Sequence, residues 1–272
     1  MPNMRRLETA RKPIQVAGAA LLISILGIAI AHAATCPRKG TLGTSRVLAV
    51  DAVSFPQVGL KNFPQTLPLR DHEVVLTFDD GPWPPTTPKV LAALSEECVR
   101  ATFFMIGKPA SEHPTMVRQV AAEGHTIGHH TWTHFDLQQM PQSNALKEID
   151  DGIAAVEKAE HGVATTTPTT PFFRFPGFLT TPATLGLLRS RGIAVFGADF
   201  WGNDWDDITP TQELRLLVVR LKATRKGIIL LHDSQPKTAA MLPTFLRYLR
   251  ENHYHVVHIV PTGPAVDFEG VP

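Results

Sequence analysis

The fold of this chain is constrained most by an alternation, repeated seven times, between short apolar runs and segments with helical periodicity. The apolar runs are rich in Val, Ile and Phe, and they lie at residues 74–78, 101–106, 125–128, 172–175, 193–196, 228–231 and 255–260. In the segments between them, apolar residues recur three or four positions apart, as on one face of a helix. Pro88, Pro114 and Pro210 stand near the starts of three of these helices, where a missing backbone N–H does no harm.

This alternation predicts an α/β protein in which helices cover a parallel sheet. At this chain length a barrel of the (β/α) type is the economical way to close the sheet, and an open doubly wound sheet is the alternative. Residues 34–71 contain Pro56, Pro64 and Pro68, and we predict that they form an extended lead-in laid over the domain. Residues 72–262 then form a single domain, and residues 263–272 a C-terminal tail.

The first 33 residues have the layout of a secretory signal peptide. Basic residues precede an uncharged apolar run over residues 16–30, and Ala31-His32-Ala33 offers a cleavage site of the small-x-small type. A membrane-spanning helix needs ~20 residues, more than this run provides. We therefore expect cleavage near Ala33 and export to the periplasm or the medium, with a retained anchor as the alternative. The export route, Sec or twin-arginine, stays open.

Composition narrows the classes of function. The chain has 26 Lys and Arg against 25 Asp and Glu, and a formal net charge of +1 argues against a dedicated nucleic-acid binder. Twelve histidines against two tyrosines point to metal or proton chemistry. Export would place Cys36 and Cys98 in an oxidising compartment where they can pair, and a buried Cys98 thiol is the alternative.

Polar side chains follow five of the predicted strands, at the point where each strand ends. They are Asp79 and Asp80 after the first strand, His129, His130 and His134 after the third, Arg174 after the fourth, Asp199 to Asp204 after the fifth, and His232 and Asp233 after the sixth. Any one of these groups alone could be a turn. Because the carboxyl ends of the strands meet on one face of a barrel, and that face is the catalytic one, the five groups together predict an active site.

Asp80, His130 and His134 are the candidate metal ligands. The two histidines are four residues apart, so their rings can point to one place from a helical turn or a tight loop. Two imidazoles and one carboxylate leave positions open for water and substrate, as a catalytic zinc site requires. Non-haem iron is the alternative for this ligand set. His129 is the alternative to His130, although its ring would start from the opposite side.

Asp79 and His232 are the candidate base and acid. Successive side chains of an extended backbone diverge, so Asp80 on the metal leaves Asp79 free to act as a base on water. Zinc lowers the pKa of its water to about 7, for which a carboxylate is a sufficient acceptor. His232 can return a proton to the leaving group. This arrangement predicts a metal-dependent hydrolase.

These residues resemble the polysaccharide deacetylase family, which shares a NodB-type homology domain and is classed as carbohydrate esterase family four. Thr77-Phe78-Asp79-Asp80-Gly81-Pro82 is similar to its first signature, and His130-Thr131-Trp132-Thr133-His134 to its second. The resemblance runs from Val74 to about Val260. It implies a distorted (β/α) barrel of about seven parallel strands and metal-dependent removal of N-acetyl groups from N-acetylglucosamine polymers.

The resemblance also implies roles for single residues. It implies Asp79 as base, Asp80, His130 and His134 as ligands, His232 as acid, Arg174 and Asp204 as further catalytic residues, and Gly177, Trp205 and Leu230 as substrate-binding residues. In this assignment Leu230 lines the pocket for the acetyl methyl group, and the backbone N–H of Gly177 faces the oxyanion. The chain departs from the family pattern at His129, where Asn is common, and at Gly177, which follows Pro176 directly. The fourth signature is present as Asp204-Trp205, with Asp204 as the carboxylate that orients His232 and Asp199 as the alternative.

Two other functions are compatible with the same residues. One is hydrolysis of an acetyl ester, as in acetyl-xylan, and the other is binding of carbohydrate by an inactive member of the fold. The presence of base, ligands and acid favours an active enzyme. The expected cofactor is a divalent metal ion, zinc before others, and the expected partner is an acetylated amino-sugar polymer or oligomer. Trp83, Trp132, Trp201 and Trp205 lie near the predicted site loops, where flat rings can stack on sugars.

Overall fold

A parallel sheet organises residues 38–262, the part of the chain that the computed structural model describes. Its strands are β1 (Thr44–Val50), β2 (Gln57–Val58), β3 (Glu73–Asp79), β4 (Thr102–Met105), β5 (Thr126–His129), β6 (Phe172–Phe173), β7 (Ala194–Phe196), β8 (Phe200–Trp201), β9 (Gly227–His232) and β10 (His255–Pro261). The helices are α1 (Thr87–Glu96), α2 (Gly107–Glu112), α3 (Pro114–Ala122), α4 (Gln142–His161), α5 (Pro182–Ser190), α6 (Pro210–Thr224) and α7 (Pro236–Glu251).

Strand β3 is the centre of the sheet. It pairs with β9 along one edge, and on the other edge with β10 near its start and β4 near its end. The order continues from β4 through β5, β6 and β7 to β2. Strand β1 pairs with β10, and β8 pairs with β9. Val50 of β1, Val58 of β2 and Val75 of β3 meet in one buried cluster, so the two ends of the strand order curl around a common interior.

The alternation of side chains along β3 explains both its apolar sequence and its part in the site. Val74, Leu76 and Phe78 point outward into a core shared with α1, α3, α6 and α7. Val75 points inward, and Thr77 and Asp79 follow it on the same face. Because both faces are covered, the strand is buried at every position, as is typical of parallel sheets.

The sequence predictions for the fold are confirmed. All seven predicted strands and all six predicted helical segments are present, and the α/β class with parallel strands in one domain is correct. Three strands and α2 were not predicted. Strands β2 and β8 have two residues each, too few to show a period. The predicted lead-in is extended, but β1 and β2 hydrogen-bond it into the sheet next to β10 and β7 rather than only laying it over the surface.

Other predictions fall wholly or partly outside the described residues. They concern the signal peptide, the cleavage near Ala33, the C-terminal tail and the Cys36 end of the proposed disulfide. Cys98 is disulfide-bonded. Within residues 38–262, no helix is both long enough and apolar enough to cross a lipid bilayer.

Candidate active site

The carboxyl ends of the strands bring the predicted polar residues together. Asp79 is the last residue of β3 and His232 the last of β9, while His130 directly follows β5 and Arg174 directly follows β6. A cavity of about 580 Å³ opens there. Its walls are Asn62, Asp79, Asp80, His130, His134, Phe175, Gly177, Phe178, Trp201, Trp205, Leu230, His232 and Gln235.

Asp80, His130 and His134 form a cluster that can hold a metal ion. One ligand atom from each lies within 4.8 Å of the others. Asp80 Oδ1 is 3.5 Å from Nε2 of His130 and 3.3 Å from Nε2 of His134. Asp80 has a φ of +74°, a left-handed conformation that turns its side chain into the site instead of away from Asp79. The tight loop after β5, rather than a helical turn, brings the two histidines together.

The surroundings of these three residues also fit a divalent cation. The Nδ1–H of His130 donates to the backbone carbonyl of Arg174 at 2.7 Å, which leaves the Nε2 lone pair facing Asp80. Asp80 Oδ1 is buried and has no hydrogen-bond partner among the described residues. Burial, with the charge of His130 second, lowers the pKa of His134 below its ordinary value and favours the neutral ring that a metal needs. Burial alone would raise the pKa of Asp80, but the three nearby histidines hold it well below its usual range.

Asp79 is held by Arg174, whose side chain is completely buried. Arg174 Nη1 donates to Asp79 Oδ1 at 2.7 Å and to Thr77 Oγ1 at 2.8 Å. Its other nitrogens donate to the carbonyls of Phe196 and Gly197, and its guanidinium carbon lies 4.3 Å from the centre of the Phe104 ring. The guanidinium is therefore fixed on several sides and keeps one carboxylate oxygen of Asp79 occupied.

His232 is held by Asp204. The ring Nδ1–H donates to Asp204 Oδ1 at 2.8 Å, and the backbone N–H of His232 donates to Oδ2 at 2.7 Å. Burial by itself lowers the pKa of His232, but the hydrogen bond and charge of Asp204, with Asp80 and Asp79 adding to them, outweigh burial and raise this pKa to about 9. The imidazolium is thus the favoured form at neutral pH.

Asp199 and His129, the alternatives to Asp204 and His130 in the sequence analysis, lie away from the site. Asp199 does not contact His232, because it accepts hydrogen bonds from the backbone N–H groups of Leu60 and Ile228 and from Thr66 Oγ1. His129 is fully buried on the other side of β5, where its Nε2 lies 3.6 Å from Glu157 Oε1. Burial lowers the pKa of His129 to about 4. Asp204, and not Asp199, therefore holds His232, and His130, and not His129, lines the cavity.

The outer part of the cavity is aromatic. Phe178 stacks on Trp201 at 5.8 Å between ring centres, and Trp201 lies 5.8 Å from Trp205. Trp205 is 47% exposed, so its ring is available to a ligand. Trp83 and Trp132, which we also considered from the sequence, do not line this cavity. Leu230 lies at the end of β9, and Gly177 lies in a short 3-10 turn with a φ of +56°.

Sequence reasoning missed Asn62 and Gln235, which also line the cavity. Asn62 comes from the connection between β2 and β3, and its Oδ1 accepts the backbone N–H of Ala198 at 3.1 Å. Gly197 allows this approach, because a Cβ atom there would lie 2.5 Å from Asn62 Oδ1. No motif marks either residue in the sequence.

Comparison with known proteins gives consistent matches. Residues 67–196 match the profile of the family described as polysaccharide deacetylase. The chain is 31% identical over 196 residues to a peptidoglycan-N-acetylglucosamine deacetylase of Bacillus cereus, covering 71% of this chain and 89% of that protein. It is 44% identical over 89 residues to a chitooligosaccharide deacetylase of Rhizobium leguminosarum bv. trifolii, which is 33% of this chain and 41% of that protein.

A solved structure agrees with these sequence matches. A peptidoglycan deacetylase of Bdellovibrio bacteriovorus superposes with a TM-score of 0.72 at 28% identity, covering 86% of this chain and 63% of that one. The sequence matches and the shared architecture together identify the family: the chain belongs to the polysaccharide deacetylases.

Proposed function

We propose that this protein is a metal-dependent hydrolase that removes N-acetyl groups from N-acetylglucosamine residues of a polysaccharide or oligosaccharide. The observation that carries the proposal is the arrangement around one cavity: Asp79 and His232 both border the cluster of Asp80, His130 and His134. A base, a cation site and an acid at one cavity are the parts that hydrolysis of an amide requires. Relatives named as chitooligosaccharide and peptidoglycan-N-acetylglucosamine deacetylases support the substrate class.

Asp80, His130 and His134 would hold the divalent ion. Two imidazoles and one carboxylate suit zinc, so zinc is the first candidate. When bound, such an ion supplies Lewis acidity that activates water and polarises the acetyl carbonyl. The orientation of this ligand set depends on the chain itself, since the Arg174 carbonyl fixes the ring of His130.

Asp79 serves as the base. Its Oδ1 is bound by Arg174, so Oδ2, which lies 3.8 Å from His130 Nε2, is the oxygen on the side of the ligand cluster. Arg174 holds the Asp79 carboxylate through a charge-assisted hydrogen bond to Oδ1, and Oδ2 is left to accept a proton from the attacking water.

His232 serves as the acid. Its Nδ1 is occupied by Asp204, and its Nε2 lies 4.0 Å from Asp80 Oδ2 at the cavity. Because its pKa is raised to about 9, the ring carries the proton that a departing amine needs. Gly177 and Leu230 line the region for the acetyl group, with the N–H of Gly177 as the oxyanion donor. Trp205 offers a face for the sugar ring.

The acid role predicts a difference between two substrates. His232→Ala should lower kcat for an N-acetylglucosamine oligomer by roughly 100- to 10,000-fold, the usual range for a general acid. An activated ester such as para-nitrophenyl acetate should lose much less, because its leaving group departs without protonation. Metal content and thermal stability serve as controls. Equal losses on both substrates would contradict the acid role.

Acetate release from a panel of polymers tests the substrate class and the two alternatives. We expect release from N-acetylglucosamine oligomers or peptidoglycan, and the loss of this activity in Asp79→Asn. Release from acetyl-xylan alone would establish the ester hydrolase instead. Binding of the glycans without any release, in protein loaded with zinc, would establish an inactive carbohydrate-binding protein.

We also propose that the protein acts outside the cytoplasm, in the periplasm or the medium. The proposal rests on the basic, apolar and small-residue layout of residues 1–33. The N-terminal mass of the protein recovered from the periplasm or medium should begin near Ala34. Recovery of the chain with Met1 to Ala33 intact in the membrane fraction would favour an anchor.

A further inference from the structure

A buried glutamate lies behind the acid side of the cavity, and the mechanism above does not use it. Glu213, in the first turn of α6, has no exposed surface. Its Oε1 lies 3.0 Å from the hydroxyl of Thr238, in the first turn of the adjacent helix α7. The same hydroxyl lies 2.8 Å from Asp204 Oδ2. One Thr hydroxyl therefore stands between two buried carboxyl groups, and one of these holds His232.

The number of hydrogen atoms available determines whether Glu213 and Asp204 can both be ionised. A hydroxyl has one hydrogen, so Thr238 can donate to only one of the two carboxyl oxygens. If both carboxyl groups were ionised, the other contact would bring two lone pairs together at hydrogen-bond distance. One carboxyl group must therefore carry a proton, and its O–H donates a hydrogen bond to Thr238 Oγ1.

The hydrogen bonds around Asp204 place that proton on Glu213. Asp204 Oδ1 accepts from His232 Nδ1, and Oδ2 accepts from the backbone N–H of His232. Both oxygens of Asp204 thus already receive donors that stabilise its charge. In contrast, Glu213 Oε2 is buried and has no hydrogen-bond partner among the described residues. A neutral acid tolerates such a position far better than a carboxylate does.

We propose that Glu213 is a positioning residue that works as a neutral acid: it donates to Thr238, and Thr238 donates to Asp204 Oδ2, so that Asp204 keeps its orientation toward His232. The hydrogen bonds then run from the carboxylic acid of Glu213 through the Thr238 hydroxyl to the carboxylate of Asp204, which binds the His232 ring. This inference rests on the proposed role of His232. Its central claim, a proton on Glu213, is testable without any activity.

The charged groups that face Glu213 agree with this state. Burial is the main influence and the negative charge of Asp204 the second, and together they raise the pKa of Glu213 to about 7. The hydrogen bond from Thr238 and the positive charges of Lys237 and His232 act in the opposite direction and are weaker.

The direct test is infrared spectroscopy of the intact protein. The spectrum of the wild type minus that of Glu213→Gln should contain the carbonyl stretch of a buried carboxylic acid at mildly acidic pH. This band should fade as the pH rises through about 7. A carboxylate band in its place at mildly acidic pH would overturn the proposal, whatever the enzyme does.

The second test uses kinetics with conservative replacements. Glu213→Gln keeps a donor toward Thr238, and Thr238→Ser keeps the hydroxyl, so both should stay within about twofold of the wild type. Glu213→Leu and Thr238→Val should each lower kcat on an N-acetylglucosamine oligomer by about five- to tenfold, the effect of one lost hydrogen bond. KM and the rate on para-nitrophenyl acetate should change little, because only the acid step is affected.

The double variant and a control complete the test. Glu213→Leu combined with Thr238→Val should be no slower than either change alone, because both break the same chain. Thr102→Val removes a hydroxyl that is equally buried but lies in β4, and should leave the ratio of the two substrates unchanged. Equal losses in Glu213→Gln and Glu213→Leu, or equal losses on both substrates, would overturn the proposal. A wild type without amide activity would refute the proposed function, and the infrared band would still decide the state of Glu213.

Discussion

The two sides of the cavity hold Asp79 and His232 by different means. On the base side, Asp79 meets the guanidinium of Arg174 directly at 2.7 Å. On the acid side, His232 meets Asp204 at 2.8 Å, and Thr238 and Glu213 stand behind this pair. A guanidinium keeps its charge at any working pH, whereas the imidazole and the buried acid titrate. If His232 is the acid, as we propose, we expect activity at alkaline pH to be lost on this side of the cavity, as the pH rises through about 9.

The largest effects should come from the two adjacent carboxylates. Asp80→Asn should lose the bound metal ion and almost all activity, because a site with three ligands has no spare partner. Asp79→Asn should keep the metal ion and still lose activity, because only the base is missing. Metal content by atomic spectroscopy, measured with kcat/KM for deacetylation, separates the two variants. Equal loss of metal in both would show that the ligand and the base are not divided in this way.

The next effect concerns the stability of the base side. Arg174→Met leaves Asp79 buried without its cation, and breaking a buried pair in this way costs about 3–5 kcal/mol. Arg191→Met removes one partner of a surface pair with Asp150 and should cost about 0–1 kcal/mol. Urea unfolding of both variants measures the difference. Similar losses of unfolding free energy in the two variants would mean that the buried Arg174–Asp79 pair stabilises the protein no more than a surface pair does.

A smaller effect should appear in the pH profile of the acid side. Asp204→Asn removes the charge that raises the pKa of His232 to about 9, so the alkaline limb of kcat should move toward lower pH.

The raised pKa of His232 also makes the stability of the protein depend on pH. A His whose pKa is raised on folding stabilises the protein at pH below the unfolded value of 6.5, and this stabilisation is lost as the pH rises through about 9. Melting temperatures of the wild type and Asp204→Asn should therefore converge at high pH.

The smallest effect should come from Glu213. Its pKa is raised from 4.5 to about 7, so its contribution to stability is fully present below 4.5 and is lost as the pH rises through about 7. Because an amide does not ionise, Glu213→Gln should become more stable relative to the wild type as the pH rises between these limits, as urea unfolding at each pH would measure. Asp233, whose pKa burial also raises to about 7, is present in both proteins and cancels in the comparison. A difference that does not change with pH would contradict the raised pKa.

The sequence predicted the parts of this molecule that repeat and missed those that do not. Strands buried on both faces leave continuous apolar runs, so their positions and the polar residues at their ends could be found. The register of parallel strands then brought residues as distant as Asp79 and His232 to one place. Strand β8 has two residues and leaves no period.

The contacts behind His232 could not be predicted from such repeating patterns. Thr238 meets Asp204 across 34 positions and Glu213 across 25, and neither contact belongs to a motif. From the sequence, Glu213 is an acidic residue in the first turn of a helix, a common position for a solvent-exposed carboxylate. Its burial depends on how α6 and α7 pack against each other, which local patterns do not specify.

The segment that carries Asn62 has a consequence for how this protein can diverge. It precedes residue 67, where the match to the family begins, and it is attached to the rest of the domain through Asp199 and the backbone of Ala198. The residues to which we assign the chemistry lie on or directly after other elements, such as β3 for Asp79 and β9 for His232. Under the proposed function, mutation of the segment before residue 67 should therefore change one wall of the cavity, and with it the preference among glycans, without altering the strands that carry Asp79 and His232.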